Sequence, residues 1–270
     1  MLKRIVTAIV ALLLFVPILL WGGSIVVTSV FALIAAVSVY EMLGCCNLNK
    51  NIFVAVPSIL GAAICVFVPG LFGLRLFAAA AVMLSGVICA LIYFLGVSVF
   101  AHKSVDVERL FTCFGLTVYI TAGFTALSAL YIIYGLWAVA FVLCVAWGTD
   151  TFAYFSGMLF GKRKLCPEIS PKKTIAGAIG GTIFGTAIGV LVFVINGVSP
   201  VFALCALPLS VISQLGDLAA SVIKRRFGVK DYGKIFPGHG GVLDRFDSII
   251  PVSIVTAMIF LGYWIFVWVL

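Results

Sequence analysis

The sequence predicts an all-α, polytopic transmembrane helix bundle, and three observations carry that prediction. The chain has 270 residues, 64% of them apolar and only 10% charged, so most of its helices have no side suited to water. Stretches of roughly 20 apolar residues, the length a helix needs to cross about 30 Å of hydrocarbon, recur from one end to the other. Basic residues collect in alternate links between those stretches, as the loops on one side of a membrane require.

Read in order, the apolar stretches give nine crossings, at 5–21, 24–43, 52–68, 76–98, 109–127, 129–148, 175–195, 201–222 and 248–268. The first follows Lys3 and Arg4 as a signal peptide would. However, its apolar run exceeds the roughly 7 to 15 residues of such a segment, and Trp21-Gly22-Gly23 offers no small-residue cleavage site. It therefore reads as a retained first helix. With the N-terminus on the cytoplasmic side, only Arg75 of the 17 Lys and Arg residues falls outside, which supports both the odd count and the orientation. The net charge of +8 is then an inner basic face beside anionic lipid, and no nucleic acid partner is implied.

Polar residues divide the chain near residue 140. Residues 1–140 read as transmembrane scaffold with a surface for homodimerisation, and 141–270 as a catalytic region with cytoplasmic basic loops. In the first part Glu41, Asp106 and Glu108 stand at helix ends beside loops, where solvated carboxylates are expected. The eight cysteines are scattered, mostly inside apolar segments, without a CxxC pair, and read as small buried hydrophobes.

Four later carboxylates, Asp150, Asp217, Asp244 and Asp247, interrupt or abut apolar helices, where an acid costs about 2.5 to 3.5 kcal/mol and so has a partner and a purpose. Asp244 and Asp247, three apart at the start of the last helix, share a face and read as a magnesium site. Asp217 heads a polar stripe with Gln214, Ser221 and Lys224 that is placed to face the same cation. Between these helices Lys224, Arg225, Arg226, Lys230 and Lys234 lead into Pro237-Gly238-His239-Gly240-Gly241, a turn whose backbone N–H groups suit an oxyanion. A second basic loop, Lys162 to Lys164 with Ser170-Pro171-Lys172-Lys173-Thr174, precedes a helix carrying Gly177, Gly180, Gly181 and Gly185. Thr174 is its expected N-cap, and the glycines are expected to serve close helix packing. Gly157, Gly161 and Lys162 do not make a Walker A loop, because Arg163 stands where Ser or Thr is needed. Trp147 to Tyr154 sets Asp150 and Tyr154 on one helical face, as a further wall of the same cavity. Carboxylates for a divalent metal, cations for phosphates and a location at the membrane edge together suit phosphoryl or nucleotidyl transfer to a lipid.

The run Ser221-x2-Lys224-Arg225-x4-Lys230-Asp231-x-Gly233-x2-Phe236-x-Gly238-His239-Gly240-Gly241-x2-Asp244-Arg245-x-Asp247 closely resembles the signature of the phosphatidate cytidylyltransferases. The segments Trp147-x2-Asp150-x2-Ala153-Tyr154-x2-Gly157 and Ser170-Pro171-Lys172-Lys173-Thr174-x2-Gly177 look like the same family's, so the resemblance spans roughly residues 140 to 250. Ala176 departs from it, standing where family members often carry an acid.

The resemblance implies transfer of the cytidylyl group of CTP to phosphatidic acid, giving CDP-diacylglycerol and pyrophosphate in phospholipid biosynthesis, with Mg2+ required and a second, monovalent cation left open. It implies metal ligation by Asp217, Asp244 and Asp247, with Asp150 as ligand or supporting group. Lys224 and His239 join the catalytic set, while Lys172, Lys173, Ser221, Arg225, Lys230, Gly240, Gly241 and Arg245 are set against the phosphates of CTP and lipid. The implied location is the inner, or plasma, membrane with the site facing the cytoplasm. Two rival readings remain: a CTP-dependent polyprenol or lipid kinase, which moves the γ-phosphate, and an ion-coupled transporter, since buried acids also mark ion pathways.

Overall fold

A computed structural model describes residues 2–72, 76–103, 105–198, 203–236 and 240–268. The helices are α1 (Leu2–Trp21), α2 (Gly23–Cys45), α3 (Ile52–Phe72), α4 (Leu76–Phe100), α5 (Val107–Tyr134), α6 (Leu136–Phe160), α7 (Ile175–Ile195), α8 (Ala206–Arg226), the single turn α9 (Leu243–Phe246) and α10 (Ile249–Trp268). A short hairpin of β1 (Lys164–Cys166) and β2 (Ser170–Thr174) lies between α6 and α7. The described residues are thus all-α apart from that hairpin. Among the described residues seven helices, α2 to α8, are long and apolar enough to cross a membrane, as a polytopic membrane protein requires. Arg75 lies outside the described residues.

The boundaries around α6 differ most from the sequence reading, which put a crossing at 129–148 where the helix runs Leu136–Phe160. The break expected near residue 128 falls at Gly135, whose φ of 81° ends α5 and starts α6. Glycine alone adopts that backbone without penalty, whereas Ser128 sits fully buried within α5. The second basic loop is not irregular: its strands pair antiparallel, Lys164 with Thr174 and Cys166 with Ser170.

The chain forms two compact units, one of Met1–Ile133 with Asp231–Arg245 and the other of Tyr134–Lys230 with Phe246–Leu270. In the first, α2 packs on α3, where Gly70 admits Thr28 against the backbone. In the second, α7 lies against α6. A Cβ on Gly181 would stand 2.8 Å from both the Ala153 Cβ and the Thr149 carbonyl, and one on Gly180 would strike Ser156. The glycines of α7 therefore serve close helix packing, as expected, because in lipid small residues let backbones approach where no hydrophobic effect drives them together. Thr174 caps α7, its hydroxyl accepting from the Gly177 N–H at 3.1 Å. Gln214 on α8 donates to the Ala178 carbonyl and to the Thr182 hydroxyl of α7, and Gly216 lets α8 approach Pro251 and the Asp247 carbonyl at the head of α10.

Candidate active site

In the second unit three elements bring acids and bases together. β2 holds Lys173 in extended backbone just before the Thr174 cap, and its ammonium meets the Asp217 carboxylate of α8 at 2.7 Å, with the two side chains 27% and 29% exposed. Two helical turns further along α8, on the same face, Lys224 reaches the Asp247 carboxylate at 3.7 Å, and this pair is only 10% and 11% exposed. Asp247 also turns Oδ1 back to accept the Ser248 N–H at 2.9 Å. The Ser248 hydroxyl in turn donates to Asp150 of α6, again at 2.9 Å. Asp150, Asp217 and Asp247 are therefore each held by a named donor, two of them by a lysine.

Of the other cations, Arg225 donates to the Val229 carbonyl at 3.0 Å, folding the chain back where α8 ends. Lys172, Lys230 and Arg245 are exposed, and Ser221 is half-buried. Gln214 is drawn away from this group by its bonds to α7, so the expected polar stripe loses its first member. Tyr154 is 67% exposed and stacks edge-on with Phe155 rather than joining Asp150.

Of the glycine-rich turn, Gly240 and Gly241 are described; they belong to the first unit, where backbone N–H groups there and on either side bind two of the protein's own carboxylates. Asp244 is 8% exposed, and its Oδ2 accepts from the Tyr232 N–H at 2.8 Å and the Gly241 N–H at 2.9 Å. Glu41, on the last turns of α2, accepts from Val242 N–H with Oε1 at 3.0 Å and from Leu243 N–H with Oε2 at 2.9 Å. Gly240, at φ 86°, closes the turn by accepting the Phe236 N–H. His239 lies outside the described residues, together with Pro237 and Gly238.

Glu41 corrects the sequence reading. It was expected in solvent at a helix end, yet it is only 4% exposed. Asp106 and Glu108 are exposed as expected, Asp106 pairing with Arg109 at 3.3 Å. The signal for Glu41 was present, since it is the one acid in an otherwise uncharged apolar segment of 23 residues. The cost of placing an acid there applies to it as much as to the four later carboxylates. Ser248, the donor to Asp150, was also missed, and a lone serine between Asp247 and Ile249 carries no comparable signal.

No group of three or more His, Cys, Asp or Glu gathers closely enough to cage a metal among the described residues. Magnesium does not need such a cage, because it keeps several waters and takes one or two carboxylates together with substrate phosphates. The acids of the second unit fit that requirement: they are hard oxygen donors, and Asp217 and Asp247 are already balanced by a cation, in each case an ammonium.

The chain matches the model of the cytidylyltransferase family over residues 2–264. Among curated proteins it is 38% identical over 250 residues to a phosphatidate cytidylyltransferase of Staphylococcus haemolyticus, covering 91% of this chain and 93% of the relative. The enzymes of the same name from Staphylococcus epidermidis and Staphylococcus aureus are 36% and 38% identical, again across 91% of this chain and 93% of theirs. The likeness thus extends well beyond residues 140 to 250, into the helices that carry Glu41, and over that full extent this chain belongs to the cytidylyltransferase family.

Proposed function

We propose that this protein transfers the cytidylyl group of CTP to phosphatidic acid. The observation that carries the reading is the pairing of Lys173 with Asp217 and of Lys224 with Asp247 within one unit of a polytopic member of this family. A phosphate oxygen of phosphatidic acid forms a bond to the α-phosphorus of CTP as the bond from that phosphorus to the pyrophosphate oxygen breaks. Pyrophosphate leaves with the electron pair, and the lipid product is CDP-diacylglycerol. The attacking phosphate is itself the nucleophile, so positioning and electrostatics supply the catalysis.

Each lysine in this scheme has two uses. Before substrate arrives, its ammonium neutralises a carboxylate that would otherwise be costly near the membrane. When a triphosphate enters, the same ammonium turns to the phosphate oxygens, and the carboxylate it leaves is free for another cation. Asp217 and Asp247 would hold magnesium, with Asp150 orienting their surroundings through Ser248. Bound there, the ion would neutralise charge on the phosphates as pyrophosphate departs. Lys172, Lys230 and Arg245, exposed and basic, orient the triphosphate and the lipid headgroup. The orientation that puts these groups on the cytoplasmic side of the cell membrane is part of the same reading, as is self-association, which cross-linking in mild detergent overturns if it never exceeds monomer mass.

The test is incorporation of label from CTP into lipid by the purified protein in detergent with phosphatidic acid and magnesium. Cytidine label in CDP-diacylglycerol is the expected result. Label from the γ-phosphate instead would make the protein a lipid kinase, and substrate flux in sealed vesicles without CTP consumption would make it a transporter.

A further inference from the structure

We propose that Glu41 is a positioning residue for the transfer reaction, a clamp reaching from the hydrophobic N-terminal helices to fix the loop that carries Asp244 and Arg245. The proposal rests on the functional reading above. Its physical basis lies wholly within the first unit, which contains both α2 and residues 231–245.

Four observations carry it. The Glu41 carboxylate uses both oxygens on the loop backbone, accepting from Val242 and Leu243 N–H at 3.0 and 2.9 Å. It is seated between two glycines, because a Cβ on either Gly233 or Gly241 would run into it. It is buried, at 4% exposure, so water does not compete for those bonds. Finally, the residue the clamp leads to is itself fastened by the same loop: Asp244 accepts from Tyr232 and Gly241 N–H. Two carboxylates thus tie one short loop at four backbone N–H groups, one from within the loop and one from about 200 residues earlier in the chain.

A carboxylate is the right group for this task, and its amide is not. Both oxygens of Glu41 face donors, whereas a glutamine would turn an NH2 toward one of them and leave a buried donor without an acceptor. Removing the charge therefore loosens the loop although the side chain keeps its size. Catalytic groups held about 1 Å out of place lose up to about 100-fold in rate.

The experiment compares Glu41→Gln and Gly233→Ala with wild type in the full-length, detergent-purified protein. Gly233 does not have a positive φ, so alanine there acts only by crowding the carboxylate. Each variant is expected to lower kcat per folded molecule by about 100-fold while KM for CTP rises by no more than about tenfold, since Arg245 is displaced but the lysines of the second unit are untouched. Trypsin should cut after the exposed Lys230 and Lys234 about tenfold faster, with cleavage elsewhere unchanged. The double variant should be no worse than either single one, because both release the same contact. A purely structural role would lower the yield of folded protein and leave kcat per folded molecule where it was, and that result would overturn the proposal. So would losses that add, or a loop equally protected in all forms. If wild type itself transfers no cytidylyl group, the functional reading fails, and the tryptic comparison still decides whether Glu41 clamps the loop.

Discussion

Two carboxylates of the second unit, Asp217 and Asp247, face lysines, whereas two of the first, Glu41 and Asp244, are held by backbone amides. Lys173 with Asp217 and Lys224 with Asp247 are pairs of side chains, and a side-chain ammonium can leave for a phosphate without disturbing the fold. Glu41 and Asp244 are bonded to N–H groups of Tyr232, Gly241, Val242 and Leu243, and those donors cannot leave unless the loop changes shape. The difference teaches how one chain uses the same functional group in two ways. An acid with an exchangeable partner is suited to binding, and an acid committed to the backbone is suited to holding a shape.

That contrast can be broken most severely at Lys224. Its pair with Asp247 is nearly buried, and removing one partner of such a pair costs about 3 to 5 kcal/mol by stranding a charge. Lys224→Met should therefore melt much earlier in detergent and transfer no cytidylyl group. Adding Asp247→Asn should restore the melting temperature and leave transfer absent. A single variant as stable as wild type would remove the ion pair from the account of the fold.

Lys173 sharpens the comparison because its pair with Asp217 is more than a quarter exposed. Lys173→Met should cost only about 1 kcal/mol of stability, water screening the carboxylate left behind. The transfer rate should nonetheless fall about 100-fold, the usual loss on removing a preorganised charge from developing phosphate charge. Stability and activity should thus part company at Lys173 and fall together at Lys224. Melting curves and initial rates on the same two preparations decide this.

The smallest effect is expected at Gln214, which the structure assigns to helix packing rather than to the site. Gln214→Leu removes two hydrogen bonds to α7, worth about 0.6 kcal/mol each within a membrane, and should leave the transfer rate within about twofold. A large loss of activity with an unchanged melting temperature would return Gln214 to the polar stripe beside Asp217.

Much of the candidate site was legible because membrane helices make charge conspicuous. Asp150, Asp217 and Asp247 stand out against apolar neighbours, and the lysines near them in sequence indicated phosphate chemistry. Thr174 was readable as a cap, and Gly177 to Gly185 as a packing face, because both are local patterns. Glu41 was read as solvated, because its nearness to a helix end suggested water and no local pattern shows which distant loop will cover a helix end. The partners of the acids were hidden in the same way, since Lys173 and Asp217 are 44 positions apart and Asp150 and Ser248 are 98 apart.

Composition and spacing alone determined that this protein lies in a membrane, that its helices carry small-residue faces, and that its chemistry concerns phosphates. Those properties follow from solvation and helical periodicity, which act residue by residue. Only the tertiary structure decided which carboxylate meets a lysine and which meets a backbone N–H, and that Asp244 takes the Gly241 N–H while Glu41 takes those of Val242 and Leu243 just after it. Such choices depend on where chain segments far apart in sequence are packed, and the energy of a buried charge is set by the donors that packing brings to it.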